Sequence, residues 1–341
     1  MLGHILITAV NAVLPIVLLI VLGYFLRSKD MINDSFIKMG NTLVFKICLP
    51  CMLFISVYEI AAMEAVQWDM AIYCVIAIVV LFALGGVVAV VTTKDSRRRG
   101  VIWQCCFRSN FAIIGIPLSV SLGAGETDAF GAIIAALAVP IFNMFAVIAL
   151  SVFTEDASGH RPSIKRIVLD IVKNPLIIGV VLGMLCLGLR AMQRNFFGEV
   201  IFTLKQDLKF VYSVMEKLKA MTTPLALVVL GGQFKFSVVK GMFREIAVAT
   251  VFRIVAAPLL CIGVAVLLAK ATGIISCGAD TMPSLIALFG SPVAVSSAVM
   301  ASQMGGDEQL AAQLVVWTCV GSIFTIFLQV CILMAAGLLI V

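Results

Sequence analysis

Residues Ser109–Val120 read SNFAIIGIPLSV, a stretch apolar enough to lie in a membrane yet carrying Asn110, Gly115 and Pro117. Glycine lets a backbone leave the helical region, and a mid-helix proline removes one N–H and crowds the carbonyl four residues back. In hydrocarbon, freed backbone groups cost several kcal/mol each, so a break persists only against protein or a watery cavity. A second such break, Gly290-Ser291-Pro292, stands in another apolar run. Two breaks meeting near the bilayer midplane would present half-helix N-termini, whose free N–H groups and partial positive charge accept an anion. Asn110 adds an amide donor there and Ser291 a hydroxyl. The expected chemistry is recognition: Asn110, Gly115, Pro117, Gly290, Ser291 and Pro292 form a binding site for a small anion, the alternative being that Pro117 and Pro292 only kink their helices.

Other polar residues sit in apolar runs. Arg108, two residues before Asn110, either balances the anion or extends to the headgroups. Lys46 lies four residues before Pro50, where charge is costly and points to function, with Glu216 or Asp128 as partner; otherwise its stem reaches interfacial water. Asn143 either lines the pocket or bonds a neighbouring helix. Glu126, Asp128, Asp307 and Glu308 follow the two broken segments and would couple to protons only if burial raised a carboxyl pKa; solvated loop acids are the simpler reading.

The elements that must hold these residues are membrane helices. The 341 residues are 62% hydrophobic and 12% charged, with mean hydropathy +1.16, whereas soluble domains run near half apolar and a quarter charged. Ten apolar segments are expected, near 5–26, 36–58, 68–91, 101–122, 127–153, 167–189, 207–232, 244–268, 282–303 and 309–340. The first has no basic stretch before it and no small-residue cleavage site after it, so it reads as a retained helix. The face Leu204, Leu208, Val211, Met215 and Leu218 predicts an amphipathic lead-in to the seventh.

The net charge of +6 lies in short loops and sets topology rather than binding nucleic acid. With the N-terminus outside, the cytoplasmic loops carry Arg27, Lys29, Lys38, Lys94, Arg97, Arg98, Arg99, Arg161, Lys165, Arg166, Lys173, Lys235, Lys240 and Arg244. The outer loops carry only Arg190, Arg194, Lys205, Lys209 and Lys270. Both termini are therefore expected outside a cell membrane. Ten cysteines lie mostly in apolar runs, and CLPC at Cys48–Cys51 has no second pair or nearby histidine, so no metal site is expected. HExxH, GxSxG and GxxxxGK[ST] are absent, so the chain reads as neither enzyme nor ATP-driven pump, and no cofactor is implied. No charge ring or filter-like repeat suggests a channel.

Prolines expose a duplication. Pro50 and Pro224 are 174 residues apart, as are Phe36 and Phe210, and Gly115-Ile-Pro117 precedes Gly290-Ser-Pro292 by 175. NAVLPIVLLIVLG in the first segment is echoed by NPLIIGVVLG in the sixth. Residues 1–153 and 167–341 are then two five-helix repeats joined by a cytoplasmic linker, 154–166. Five being odd, the second copy enters from the opposite side: an inverted-topology repeat with broken crossing helices 4 and 9.

RSNFAIIGIPLSVSLG resembles the fourth-helix signature of the auxin efflux carrier family, with Asn110, Gly115, Ile116 and Pro117 forming its N-x4-G-I-P pattern. NTLVFKICLPCMLF at Asn41–Phe54 resembles the family's second helix and VPIFNMFAV its fifth. The match weakens over segments 6–10. The resemblance implies an all-α membrane fold of ten helices in two inverted repeats. A scaffold part, through which a homodimer would form, and a mobile transport part would each draw on both repeats. It implies a secondary transporter of the elevator type of alternating access, driven by proton or substrate gradients. The substrate would be a small organic anion, auxin-like or a malate- or malonate-like mono- or dicarboxylate, bound beside Asn110, Pro117 and Pro292. The alternative is an anion channel or uniport facilitator. The long central loop of the plant carriers is missing, only Thr154–Arg166 standing in its place, which weakens both auxin as substrate and regulation through such a loop.

Overall fold

A computed structural model describes residues 2–59, 68–124, 129–153, 164–275, 277–278 and 281–339. The expected linker therefore lies almost wholly outside the described residues, as do Glu126 and Asp128. In chain order the helices are α1 Leu2–Ser28, α2 Asp34–Tyr58, α3 Trp68–Thr92, α4 Ser96–Phe107, α5 Phe111–Gly123, α6 Ala129–Phe153 and α7 Ile164–Lys173. They continue as α8 Pro175–Phe197, α9 Leu204–Asp207, α10 Lys209–Gln233, α11 Phe236–Thr272, α12 Met282–Gly290, α13 Ser296–Gln303 and α14 Glu308–Ala335. Among the described residues there is no strand, and one isolated bridge joins Ser109 to Val293.

Among the described residues six helices, α2, α3, α6 (from Ile133), α8, α11 and α14, are long and apolar enough to cross a membrane. Segment 1 appears as the apolar helix α1, and the C-terminal part of segment 4 as the shorter apolar helix Phe111–Gly123. α10 carries Lys209, Glu216, Lys217 and Lys219, and segment 9 is divided between α12 and α13. The amphipathic lead-in is broken at Leu208, whose φ of −120° leaves the helical region between α9 and α10.

Side chains fix the ends. Asn33, Asp95, Asn174 and Asp307 cap α2, α4, α8 and α14 by accepting from backbone N–H groups of the first turn. Three prolines inside apolar helices are absorbed by wide π turns, Val44–Cys48, Phe111–Gly115 and Phe252–Ala256, each ending two residues before Pro50, Pro117 or Pro258. In each, the residue before the proline donates five residues back: Leu49 to Val44, Ile116 to Phe111, Ala257 to Phe252. The helix thus passes the missing N–H without stopping. Pro258 also leaves the Ile254 carbonyl without its usual donor, and Gln329 supplies one at 3.4 Å.

The helices pack in two groups, joined where α1 of the first also lies along α14 of the second. In one, α1 lies along α10, α8 along α2, and α10 along α2. α1 and α10 meet backbone to backbone: a Cβ on Gly23 would stand 2.1 Å from the Val228 carbonyl oxygen, and one on Gly231 2.0 Å from that of Ile20. Small residues allow such approach between apolar helices. In the other group, α3, α4 and α6 pack together, α11 and α13 pack on α14, and α12 on α11. The two interrupted helices belong to this second group: α4 lies against α13 and α5 against α12.

Candidate functional site

α4 ends at Phe107 because Arg108 turns to an extended conformation, φ −80° and ψ 117°. α12 ends at Gly290 because Ser291 does the same, φ −62° and ψ 149°. The two extended stretches lie side by side. Ser109 and Val293 form an antiparallel bridge, and the Asn110 N–H donates to the Pro292 carbonyl at 2.9 Å. Each break thus supplies partners the other has lost, which is how irregular backbone survives away from water.

The first break lies earlier than expected. Gly115 is helical, with φ −66°, and Pro117 sits in the first turn of the restarted helix. The π turn accommodates this proline, so the chain opens at Ser109 and Asn110, whose short polar side chains compete with helical bonding. Gly115 instead serves packing. A Cβ there would stand 2.4 Å from the Phe111 ring and 3.1 Å from the Ala287 carbonyl of α12. Ser119 and Ser284, 3.0 Å apart, join α5 and α12 further along.

Beside the crossing is a cavity of about 40 Å³. Arg108, Ser109, Asn110, Ala112 and Ile113 line it from the first break, and Ala294 and Ser296 from the second. Val139, Phe142 and Asn143 of α6 and Leu49, Met52 and Leu53 of α2 complete the wall. α2 belongs to the other packing group, so the cavity lies between the two groups. Its volume suits about one water molecule, so a carbon skeleton enters only if α2 and the crossing separate.

The Arg108 guanidinium, 2% exposed, donates to Asn143 Oδ1 at 2.8 Å, Ser296 Oγ at 2.7 Å and Met300 Sδ at 2.7 Å. Among the described residues no carboxylate pairs with it. Asn143 is aimed by its own helix, its amide donating to the Val139 carbonyl at 2.7 Å. Asn110 Nδ2 and Ser109 Oγ are buried without a hydrogen-bond partner. A buried cation lacking an anion, beside two unsatisfied polar groups, is costly unless a ligand completes it.

The structure therefore brings Arg108, Asn110 and Asn143 together and leaves other expected residues beside the cavity rather than in it. The Ser291 hydroxyl turns back to the Ala287 carbonyl of its own helix at 2.5 Å. Gly290 faces Gln329, and Pro292 contributes its carbonyl to the crossing. Lys46 does not reach the site: it is exposed on the outer side of α2 among Lys38, Met39, Thr42, Leu43 and Ile47. It bonds neither Glu216 nor any other described residue.

Sequence reasoning passed over Ser109, Ser296 and Arg253. The serines adjoin the two breaks, and position was the available signal. Arg253 is a charge inside an apolar segment, which is itself a signal of function. It is wholly buried and directs its guanidinium at backbone carbonyls of the crossing. All ten cysteines are free thiols.

Comparison with known proteins places the chain. The model of the membrane transport protein family matches residues 8–330, so the chain belongs to that family, the auxin efflux carriers that its second, fourth and fifth segments resemble. It is also similar to an uncharacterized transporter of Methanocaldococcus jannaschii, with 24% identity over 255 residues, covering 73% of this chain and 76% of that protein.

Proposed function

We propose, from that membership, that the chain is a secondary transporter of small organic anions, mono- or dicarboxylates, bound at the crossing of the two interrupted helices. The observation that carries this is Arg108: a buried guanidinium without a carboxylate, facing a cavity shared with the unpartnered Asn110 amide and Ser109 hydroxyl. A carboxylate there would accept charge-assisted bonds from Arg108 and neutral bonds from Asn110 and Ser109. The N-terminal starts of α5 and α13 add partial positive charge.

The position of the cavity supports alternating access. One wall is α2; the others come from the packing group that holds the crossing. Sliding that group past α1, α2, α8 and α10 would carry the bound anion with it, an elevator driven by proton or substrate gradients. In this reading the chain has ten spans in two inverted repeats, and both termini face outward from the cell membrane. A homodimer would form through α1, α2, α8 and α10.

Uptake into proteoliposomes tests the proposal. Labelled malonate, malate or indole-3-acetate should enter saturably, and Asn110→Ala should abolish entry. Non-saturating flux would identify a channel instead, and unaltered uptake by Asn110→Ala would remove the site.

A further inference from the structure

An interrupted helix leaves its last carbonyls without donors and with partial negative charge. Here two such ends meet. The carbonyl of Phe107 closes α4, and those of Leu288 and Ser291 close α12. In transporters with broken helices such carbonyls commonly coordinate a free cation that must arrive with the substrate. In this chain the position is filled from within. Arg253 Nε donates to the Ser291 carbonyl at 3.1 Å, Nη2 to that of Ser291 at 2.8 Å and of Leu288 at 3.1 Å, and Nη1 to that of Phe107 at 3.4 Å.

We infer that Arg253 is a tethered cation that joins the C-terminal ends of α4 and α12, so that the crossing assembles without sodium or any other free cation. The guanidinium is 0% exposed and has no carboxylate partner among the described residues. Its charge is answered by the two helix ends alone. The planar fork spans carbonyls from two helices, which a spherical ion would do only by drawing them closer. Its backbone is fixed by the π turn Phe252–Ala256, itself secured by the bond from Gln329 to Ile254. Arg253 is a positioning residue: it lines no part of the cavity, but sets where the extended stretches, and hence Arg108 and Asn110, come to lie.

The inference deepens the proposed function but has a readout independent of transport. The thermal midpoint of the purified protein should stay constant when about 100 mM choline is replaced by sodium at fixed ionic strength. Arg253→Ala should lower the midpoint by about 5 °C or more. About 10 mM guanidinium, far below denaturing concentrations, should restore at least half of that loss, with no gain in the wild-type protein. If Arg253→Ala does not fold, Arg253→Lys and Arg253→Gln replace it. Lysine should retain sodium indifference, and glutamine should confer stabilisation by small cations. Sodium stabilisation of the wild-type protein, or a loss in Arg253→Ala that no small cation repairs, would overturn the inference. Labelled malonate uptake should also be equal in sodium and choline, and a tenfold sodium dependence would overturn it too. Should no acid be transported at all, the anion-carrier reading fails while the thermal measurements still judge Arg253.

Discussion

Replacing Arg108 with methionine separates binding from folding. The guanidinium donates to two neutral oxygens, Asn143 Oδ1 at 2.8 Å and Ser296 Oγ at 2.7 Å. Leaving each acceptor buried and unpaired costs about 1–3 kcal/mol. Removing an unpaired buried charge returns several kcal/mol of desolvation. The two effects nearly cancel, and net stability should move by no more than about 2 kcal/mol in either direction. Binding has no such compensation. A charge-assisted bond to a carboxylate contributes about 1.5–3 kcal/mol, so half-saturation for a transported acid should rise about 10- to 150-fold. The assay is the concentration dependence of initial malonate uptake into proteoliposomes, run beside thermal unfolding in detergent. Arg108→Lys keeps the charge but loses the fork, and should fall between the two. Unchanged half-saturation in a stable Arg108→Met protein would refute the assignment of this cation to the substrate.

Asn110→Asp sets a carboxylate beside the cavity and should block uptake of anions, because like charges repel at short range in a poorly solvated site; uptake assays compare it with Asn110→Ala. Gly231→Val places side-chain atoms where the Ile20 carbonyl stands 2.0 Å from a built Cβ, so α1 and α10 must separate. The expected loss is about 1–3 kcal/mol or more, read as a lower thermal midpoint. Asp307→Ala removes both the cap on Leu310 N–H and the Arg98 partner at 3.1 Å, costing about 1–2 kcal/mol by the same measurement. Burial raises the Glu59 carboxyl pKa, but hydrogen bonds from Lys219 and Tyr212 outweigh it and hold the group below its ordinary 4.5. A depressed acid stabilises the fold above its unfolded pKa and loses that contribution as pH falls through the folded one. The pair is more than a third exposed, so a small drop in thermal midpoint is expected below about pH 4.5 and should be blunted in Glu59→Gln.

Much of the architecture was legible because hydrocarbon imposes a length and a composition that short polar loops punctuate. Asn174 and Asp307 each stand before an apolar run and each cap a helix. Proline was less informative, because it marks a local problem without naming the solution. Pro117 and Pro258 are absorbed by π turns, and Pro15, Pro140 and Pro224 lie inside continuous helices. Pro292 alone of these stands at an extended break. The same G-x-P spacing therefore marks a helical stretch in α5 and an opening after α12. At the crossing, Ser109 pairs with Val293 rather than Gly115 with Gly290, a relation set by facing backbones.

The proposed role of the asparagine does not depend on where the helix breaks. Asn110 can donate to a ligand whether the chain opens at Gly115 or at Arg108, and its Nδ2 is left buried without a partner. The two arginines belonged to the same problem but were divided by sequence distance. Arg108 lies beside the starts of α5 and α13, where helix ends are positive, and on the proposed reading adds to the attraction for an anion. Arg253 lies at the finishes of α4 and α12, where helix ends are negative, and offsets carbonyls that would otherwise repel the same anion. A crossing of two interrupted helices is electrostatically mixed, with two starts and two finishes within a small volume. In the proposed reading, covering the finishes with one fixed cation and lining the starts with another turns it into a site of one sign.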